Sequence, residues 1–181
     1  MDKERLIERL PKLETERLML RKIRTDDMED MFEYCSMEDV AAYVNWHAHQ
    51  SIEDTKVFLN HIVEQKTVFF GIEYKENHKL IGTINFVSWN QKHQKAEIAY
   101  ILSKLYWRKG IITEAIKAII QFGFTTMNLE RIEARCIEDN LGSEGVMKKA
   151  GMFYEGTLRN SMFTKGKYRN LKLYSILKDE A

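Results

Sequence analysis

One stretch constrains the fold more than any other: Tyr100 to Phe124, YILSKLYWRKGIITEAIKAIIQFGF. Ile98, Tyr100 and Leu102 alternate as in a strand, Ser103-Lys104-Leu105 leads out of it, and Trp107-Arg108-Lys109-Gly110 makes a cationic glycine turn. A helix follows. Ile112, Ala115, Ile116, Ile119, Ile120, Gly123 and Met127 fall on one face at about 3.6 residues per turn. Thr113 or the residue before it is the expected N-cap, and Glu114 suits the positive first turn. A strand, a tight basic turn and a helix start together make a phosphate site, because unpaired N–H groups and the helix dipole point into the turn. Neither a GxxxxGK loop ending in Ser or Thr nor a GxGxxG is present, so the nucleoside triphosphate and dinucleotide fingerprints are missing.

The rest of the chain reads as a mixed α/β sheet. Residues 1–12 suggest a short amphipathic arm stopped by Pro11, and Leu18, Leu20 and Ile23 a first strand ending at Thr25. Thr25-Asp26-Asp27 then opens a helix carrying Met28, Met31, Phe32 and Cys35. Ser51-Ile-Glu-Asp54 has the form of a capping box before Phe58, Leu59, Ile62 and Val63. Thr67–Tyr74 and Leu80–Trp89 form a hairpin across Lys75–Lys79, and Lys95–Leu102 is a further strand. Arg131–Cys136 alternates as a strand that the long crossover helix makes parallel to Lys95–Leu102. Asn140–Ala150 is a shorter helix stopped by Gly151, and strands Phe153–Arg159 and Tyr168–Leu177 flank a turn at Thr164–Lys167. The expectation is one domain over 1–181, six or seven strands, and helices on both faces.

Composition excludes several classes. Lys plus Arg is 28 against 27 for Asp plus Glu, a net charge of +1, so bulk charge calls for no nucleic-acid partner. The charged N-terminal MDKERLIERLPK has no apolar core of a secretory signal, and no stretch approaches the about 18 apolar residues of a membrane span. Cys35 and Cys136 are far apart with no CxxC, which fits a cytoplasmic, reduced protein. His47-Ala-His49 lacks a third ligand nearby, so no metal is expected. Cys136 reads as a core residue of its strand rather than a nucleophile. The exposed final hairpin is a candidate homodimer contact, and its basic cluster Arg159, Lys165, Lys167 and Arg169 reads as a solvated face.

YWRKGIITEA resembles the YWGKGYATEA of the ribosomal-protein (RimJ/RimL-like) branch of the GNAT N-acetyltransferases, whose pyrophosphate loop lies between a strand and a long helix. Arg108 stands where a second glycine is common, and Ile112 where Gly or Ala is usual. LETERLMLRKI is similar to the first strand of the same branch, and KKAGMFYEGTLR to its EKAGFKYEGTLR. The resemblance extends from Leu13 to Leu177 and implies a GNAT fold that opens beside the Lys95–Leu102 strand to admit acetyl-CoA.

Residue by residue, the resemblance implies a cofactor site at Ile101, Leu102 and Ser103 for the pantetheine arm and at Trp107, Arg108, Lys109, Gly110, Ile111, Ile112 and Thr113 for the pyrophosphate. Asn140, at a helix N-terminus, is first of all a cap, and by the resemblance it would also bond the arm. Glu97, in KAEIAY, matches the family's AEIGY glutamate beside the acceptor amine and is the candidate base; its alternation with Lys95 and Ala99 also allows a solvent-facing role. Ser143, in Asn140-Leu-Gly-Ser143, would face the sulfur, with Tyr154 a second candidate acid. Tyr43, Trp46 and His47 match a loop over the acceptor. The implied reaction is direct acetyl transfer to a primary amine, foremost the N-terminus of a protein such as a ribosomal protein. A small-molecule amine (polyamine, amino sugar or amino acid) and a non-catalytic acyl-CoA-binding module stay open.

Overall fold

Successive strand residues point to opposite faces of a sheet, and here the two faces carry different helices. The computed structural model describes residues 3–65 and 67–181. In chain order the elements are α1 (Lys3–Glu8), β1 (Leu13–Glu14), β2 (Leu18–Arg21), α2 (Met28–Cys35), α3 (Glu38–Ala41), α4 (Ile52–Glu64), β3 (Phe69–Tyr74) and β4 (Lys79–Asn90). They continue with β5 (Lys95–Leu102), α5 (Ile111–Thr125), β6 (Arg131–Ile137), α6 (Leu141–Lys149), β7 (Phe153–Thr164) and β8 (Lys167–Leu177). The strands form one sheet in the order β1-β2-β3-β4-β5-β6-β8-β7, and β5 with β6 is its parallel pair.

One face packs Ile84, Phe86, Ile98 and Leu102 against Ile111, Ile112, Ile116 and Ile119 of α5 and Met147 of α6. The other packs Leu80 against Met31 and Cys35 of α2, Val40 of α3 and Leu59 and Ile62 of α4, with Ile101 at its margin. The Ser51 box forms as its sequence requires: Asp54 N–H donates to Ser51 Oγ at 3.3 Å and Ser51 N–H to Asp54 Oδ2 at 2.9 Å.

The structure corrects three expectations. The described residues form eight strands rather than six or seven, because Leu13 and Glu14 pair with Leu20 and Met19 as a short edge strand. Strand β7 does not stop at Arg159. It bends through an irregularity between Leu158 and Met162, where Asn160 has φ 50°, and continues to Thr164. The hairpin then reverses at Lys165 (φ 49°) and Gly166 (φ 77°), the positive-φ pair that matches strand twist. Third, α5 is capped by Gly110, not by Thr113 or Ile112, because Gly110 adopts φ 73° and starts the helix at Ile111.

The N-terminal arm is a docked helix ending at Glu8, short of Pro11, with Leu6 buried in the main core; Met1 and Asp2 lie outside the described residues. Among the described residues no helix is long and apolar enough to cross a membrane.

Candidate active site

The site begins where the parallel seam parts. Strands β5 and β6 pair over Lys95–Ile98 and Arg131–Ala134 and no further, although β5 continues against β4 as far as Leu102 paired with Gly82. A Cβ on Gly82 would lie 2.3 Å from the Ile101 carbonyl oxygen, so only glycine lets the two strands stay together there. Ala99–Leu102 therefore present one backbone edge to β4 and the other to the gap. Beyond Leu102, Ser103 N–H donates to Ile81 O at 2.8 Å, and Trp107 Nε1 donates to Leu102 O at 2.8 Å. The Ser103 hydroxyl is buried without a partner among the described residues, a polar atom left for a ligand to satisfy.

The turn follows. Arg108, with φ 60°, takes the left-handed conformation that a glycine would adopt more easily, and Gly110 takes it again. Glu114 N–H is the helix donor that reaches Gly110 O, at 3.1 Å, which leaves Ile111, Ile112 and Thr113 N–H at the open helix start. The Ile111 and Ile112 side chains point the other way, into the core. Ile112 therefore does not crowd the turn.

A clamp that local sequence did not reveal holds this turn. Arg17 donates from Nε to Glu114 Oε2 at 2.7 Å and from its guanidinium to Lys109 O at 2.9 Å. Arg17 N–H and Thr15 Oγ1 donate to Glu114 Oε1 at 2.9 and 2.6 Å. Burial alone pushes the Glu114 carboxyl up, but the Thr15 hydroxyl and the Arg17 groups together bring it below its ordinary value.

Around the parted strands the candidates fall on opposite faces. Tyr100, on the α6 side of β5, reaches Ser143: the two hydroxyls are 2.7 Å apart and the phenol also donates to Ser143 O at 3.3 Å. Ser143 N–H in turn donates to the Asn140 cap at 3.0 Å. Burial pushes the Tyr100 phenol up, which keeps it a donor. Cys136 lies by this group, its thiol pushed up to about 11 by burial and then by Glu144, which makes it an inert core residue. Tyr154 is exposed, its hydroxyl 2.8 Å from Thr157.

Glu97 sits on the other face of β5, beside Glu133 in register on β6. Burial raises its pKa, Glu133 adds to the rise, and Arg135, whose guanidinium lies 3.3 Å away, and Lys95 oppose it. A carboxyl raised in this way is a stronger base than an ordinary glutamate. On the same face as Ile101, the loop after α3 carries Tyr43 and His47 exposed, while Trp46 packs on Phe58 and His49 at 5.7 and 5.1 Å. His49 is buried, with Nδ1 2.8 Å from Thr55 Oγ1. The last hairpin is not wholly a solvated face: Lys165 Nζ donates to Ala41 O at 2.6 Å and Arg169 pairs with Asp139 at 3.2 Å.

Arg17, Tyr100, Glu114 and Arg135 are the residues around the site whose roles the sequence did not give. Tyr100 and Glu114 were visible only as strand and dipole residues, and their partners stand 43 and up to 99 positions away.

A sheet parted beside a turn and an open helix start can take an extended ligand with an anionic end. Residues 17–153 match the family described as the Acetyltransferase (GNAT) domain, and the chain belongs to that family. The uncharacterized N-acetyltransferase YoaA of Bacillus subtilis is 36% identical over 93% of this chain and 97% of its own length. The uncharacterized N-acetyltransferase p20 of Bacillus licheniformis is 33% identical over the same 93% of this chain and 97% of its own length. The crystal structure of a GNAT-family acetyltransferase from Bacillus anthracis superposes with a TM-score of 0.85 at 31% identity, covering 94% of this chain and all of that one. The protein is an N-acetyltransferase that uses acetyl-CoA.

Proposed function

We propose that this enzyme transfers acetyl directly to the N-terminal amine of a protein, with Glu97 as base and no covalent intermediate on the enzyme. One observation carries the chemistry of this reading: the seam parts between a half-buried carboxyl on one face and the Tyr100–Ser143 pair on the other; the N-terminal acceptor rests on the family resemblance. The donor supplies an acetyl thioester. The N–H groups of Ile111, Ile112 and Thr113, reached through Trp107 and Gly110, hold its pyrophosphate, with Arg108 and Lys109 as charge partners. The backbone of Ile101, Leu102 and Ser103 and the side chain of Asn140 hold the arm, and the Ile101 N–H supports the developing oxyanion. Tyr43, Trp46 and His47 contact the acceptor.

Glu97 takes the proton that the acceptor nitrogen sheds as its lone pair bonds to the acetyl carbon and the carbon–sulfur bond breaks. It then returns that proton to solvent. Ser143, oriented by Tyr100, donates a hydrogen bond to the departing sulfur, which keeps the bonding pair and is reprotonated from solvent. A thiol of pKa about 8.5 leaves readily, so positioning supplies most of the rate.

Relatives with a named acceptor divide. One 34% identical over 56% of this chain is named "Putative ribosomal N-acetyltransferase YdaF" (Bacillus subtilis). Another, 27% identical over 83%, is named spermidine N(1)-acetyltransferase (Escherichia coli), which supports a small-molecule amine as the second reading.

Two measurements test the reading. Acetyl-CoA at about 100 times its Kd adds roughly 2.7 kcal/mol, a rise of about 5–10 °C in Tm that ATP and NAD do not give. Glu97→Gln keeps that rise and loses turnover on N-terminal peptides. No shift with acetyl-CoA, or wild-type turnover in Glu97→Gln, overturns the reading.

A further inference from the structure

We propose that Arg135 reads an anionic group on the acceptor, so that the substrate is a primary amine with a carboxylate close to it. A free α-amino acid and a polypeptide with an acidic residue in its first two positions share that chemistry. The inference rests on Glu97 as the base.

Arg135 follows Ala134, the last β6 residue paired with β5, so it stands where the seam opens. Alternation along β6 puts it on the face of Glu133, and register puts Glu133 beside Glu97. Among the described residues of β5 and β6 three cations share this face, and Arg131 is committed elsewhere, while Lys95 ends in a compact ammonium without the planar fork that holds a carboxylate bidentately. Arg131 donates to Glu133 at 2.7 Å and through both terminal nitrogens to Glu155 at 2.6 and 2.5 Å. Lys95 lies 3.6 Å from Glu133.

Arg135 differs. Among the described residues its carboxylate partner is Glu97, through one nitrogen at 3.3 Å, and its side chain keeps 37% of its surface exposed. A guanidinium has five donors in a planar fork, so most of this one is free to hold a second carboxylate bidentately. The placement also links binding to chemistry. When Glu97 accepts the acceptor's proton it becomes neutral, and Arg135 loses its counter-ion. An acceptor carboxylate on Arg135 replaces that charge at the moment of transfer, whereas a polycation brings further positive charge against it.

Full-length enzyme with saturating acetyl-CoA is assayed by thiol release on five acceptors. These are alanine against alaninamide, the tetrapeptide Ser-Glu-Ala-Ala against Ser-Gln-Ala-Ala, and spermidine. In at least one matched pair the carboxylate-bearing member is favoured about tenfold in kcat/KM, with a lower KM from binding and a higher kcat from the charge replaced at transfer, and the pair in which this occurs identifies the source. Arg135→Gln brings that ratio toward one, and Arg135→Lys keeps part of it. Loss of the arginine also changes the basicity of Glu97, but that effect is common to both members of a pair and cancels in the ratio. The acetyl-CoA-induced rise in Tm, retained in the variants, shows that they are folded.

Preference for spermidine over every carboxylate-bearing probe, acetylation of none of those probes, or a ratio that survives in Arg135→Gln overturns the proposal. Wild-type turnover by Glu97→Gln would instead remove the base assignment beneath it, a different failure.

Discussion

Replacing Glu114 by alanine tests whether the N-terminal strand governs the turn proposed to hold the cofactor. The side chain accepts three hydrogen bonds, from Thr15 Oγ1, Arg17 N–H and Arg17 Nε. The first two are worth about 1 kcal/mol each. The third belongs to an ion pair whose arginine is 36% exposed, so solvent screening reduces it to about 0.5 kcal/mol. The sum is about 2–3 kcal/mol, which for a chain of this size lowers Tm by roughly 5–10 °C. Arg17 also loses the contact that aims its guanidinium at Lys109 O, so the turn loosens and KM for acetyl-CoA rises about fivefold, the equivalent of about 1 kcal/mol. At saturating donor kcat is unchanged, because the clamp touches no reacting atom. Glu114→Gln, which keeps two acceptor sites and loses the charge, falls between wild type and alanine. Scanning calorimetry and initial rates against acetyl-CoA measure both quantities. A Tm within about 1 °C of wild type with unchanged KM, or a fall in kcat at constant KM, would refute the reasoning.

Other outcomes follow from the same geometry. Tyr100→Phe lowers kcat about three- to tenfold in the wild type and has no further effect in Ser143→Ala, because it acts through that hydroxyl; additive losses in the double-mutant cycle would contradict this. Arg108→Gly relieves the positive φ and stabilises the fold by about 1 kcal/mol, raising Tm by about 2–4 °C while weakening acetyl-CoA binding; calorimetry and titration give the two signs. Glu155 is held down to about 2, first by Arg131 and then by Ser175. Because its folded pKa lies below the ordinary 4.5, its contribution is present above that pH and is lost as pH falls toward 2. Glu155→Gln therefore destabilises the protein at pH 7 and flattens the acid loss, as read by urea unfolding between pH 5 and 2.

Local chemistry was legible in the sequence wherever one element decides it. The apolar period of α5, the Ser51 box and the Asn140 cap each need only neighbours within a turn or two, and each formed where its residues indicated. The long crossover also gave the parallel β5–β6 pair. What escaped depends on distant partners. Glu114 was read as a dipole residue because Thr15 and Arg17 lie far off in sequence, and Glu97 could not show its burial or Arg135. The cap was misplaced because a threonine suggests a side-chain acceptor, whereas Gly110 ends the turn by backbone conformation alone. Ile112 is bulky at a position where small residues are usual, and its side chain is buried in the core.

The parted seam has a consequence for how the protein moves. Past Ile98 the β5 edge facing the gap is an internal sheet edge, with amide groups that the neighbouring strand does not reach. There β5 is tied by Tyr100 to Ser143 of α6 rather than by backbone bonds to β6, so its gap-facing amide protons exchange faster than those of the Lys95–Ile98 half. A ligand lying along that edge would complete the ladder as an added strand does. It would slow exchange along one side of a single strand and join β5 toward β6 over the stretch where the two strands part.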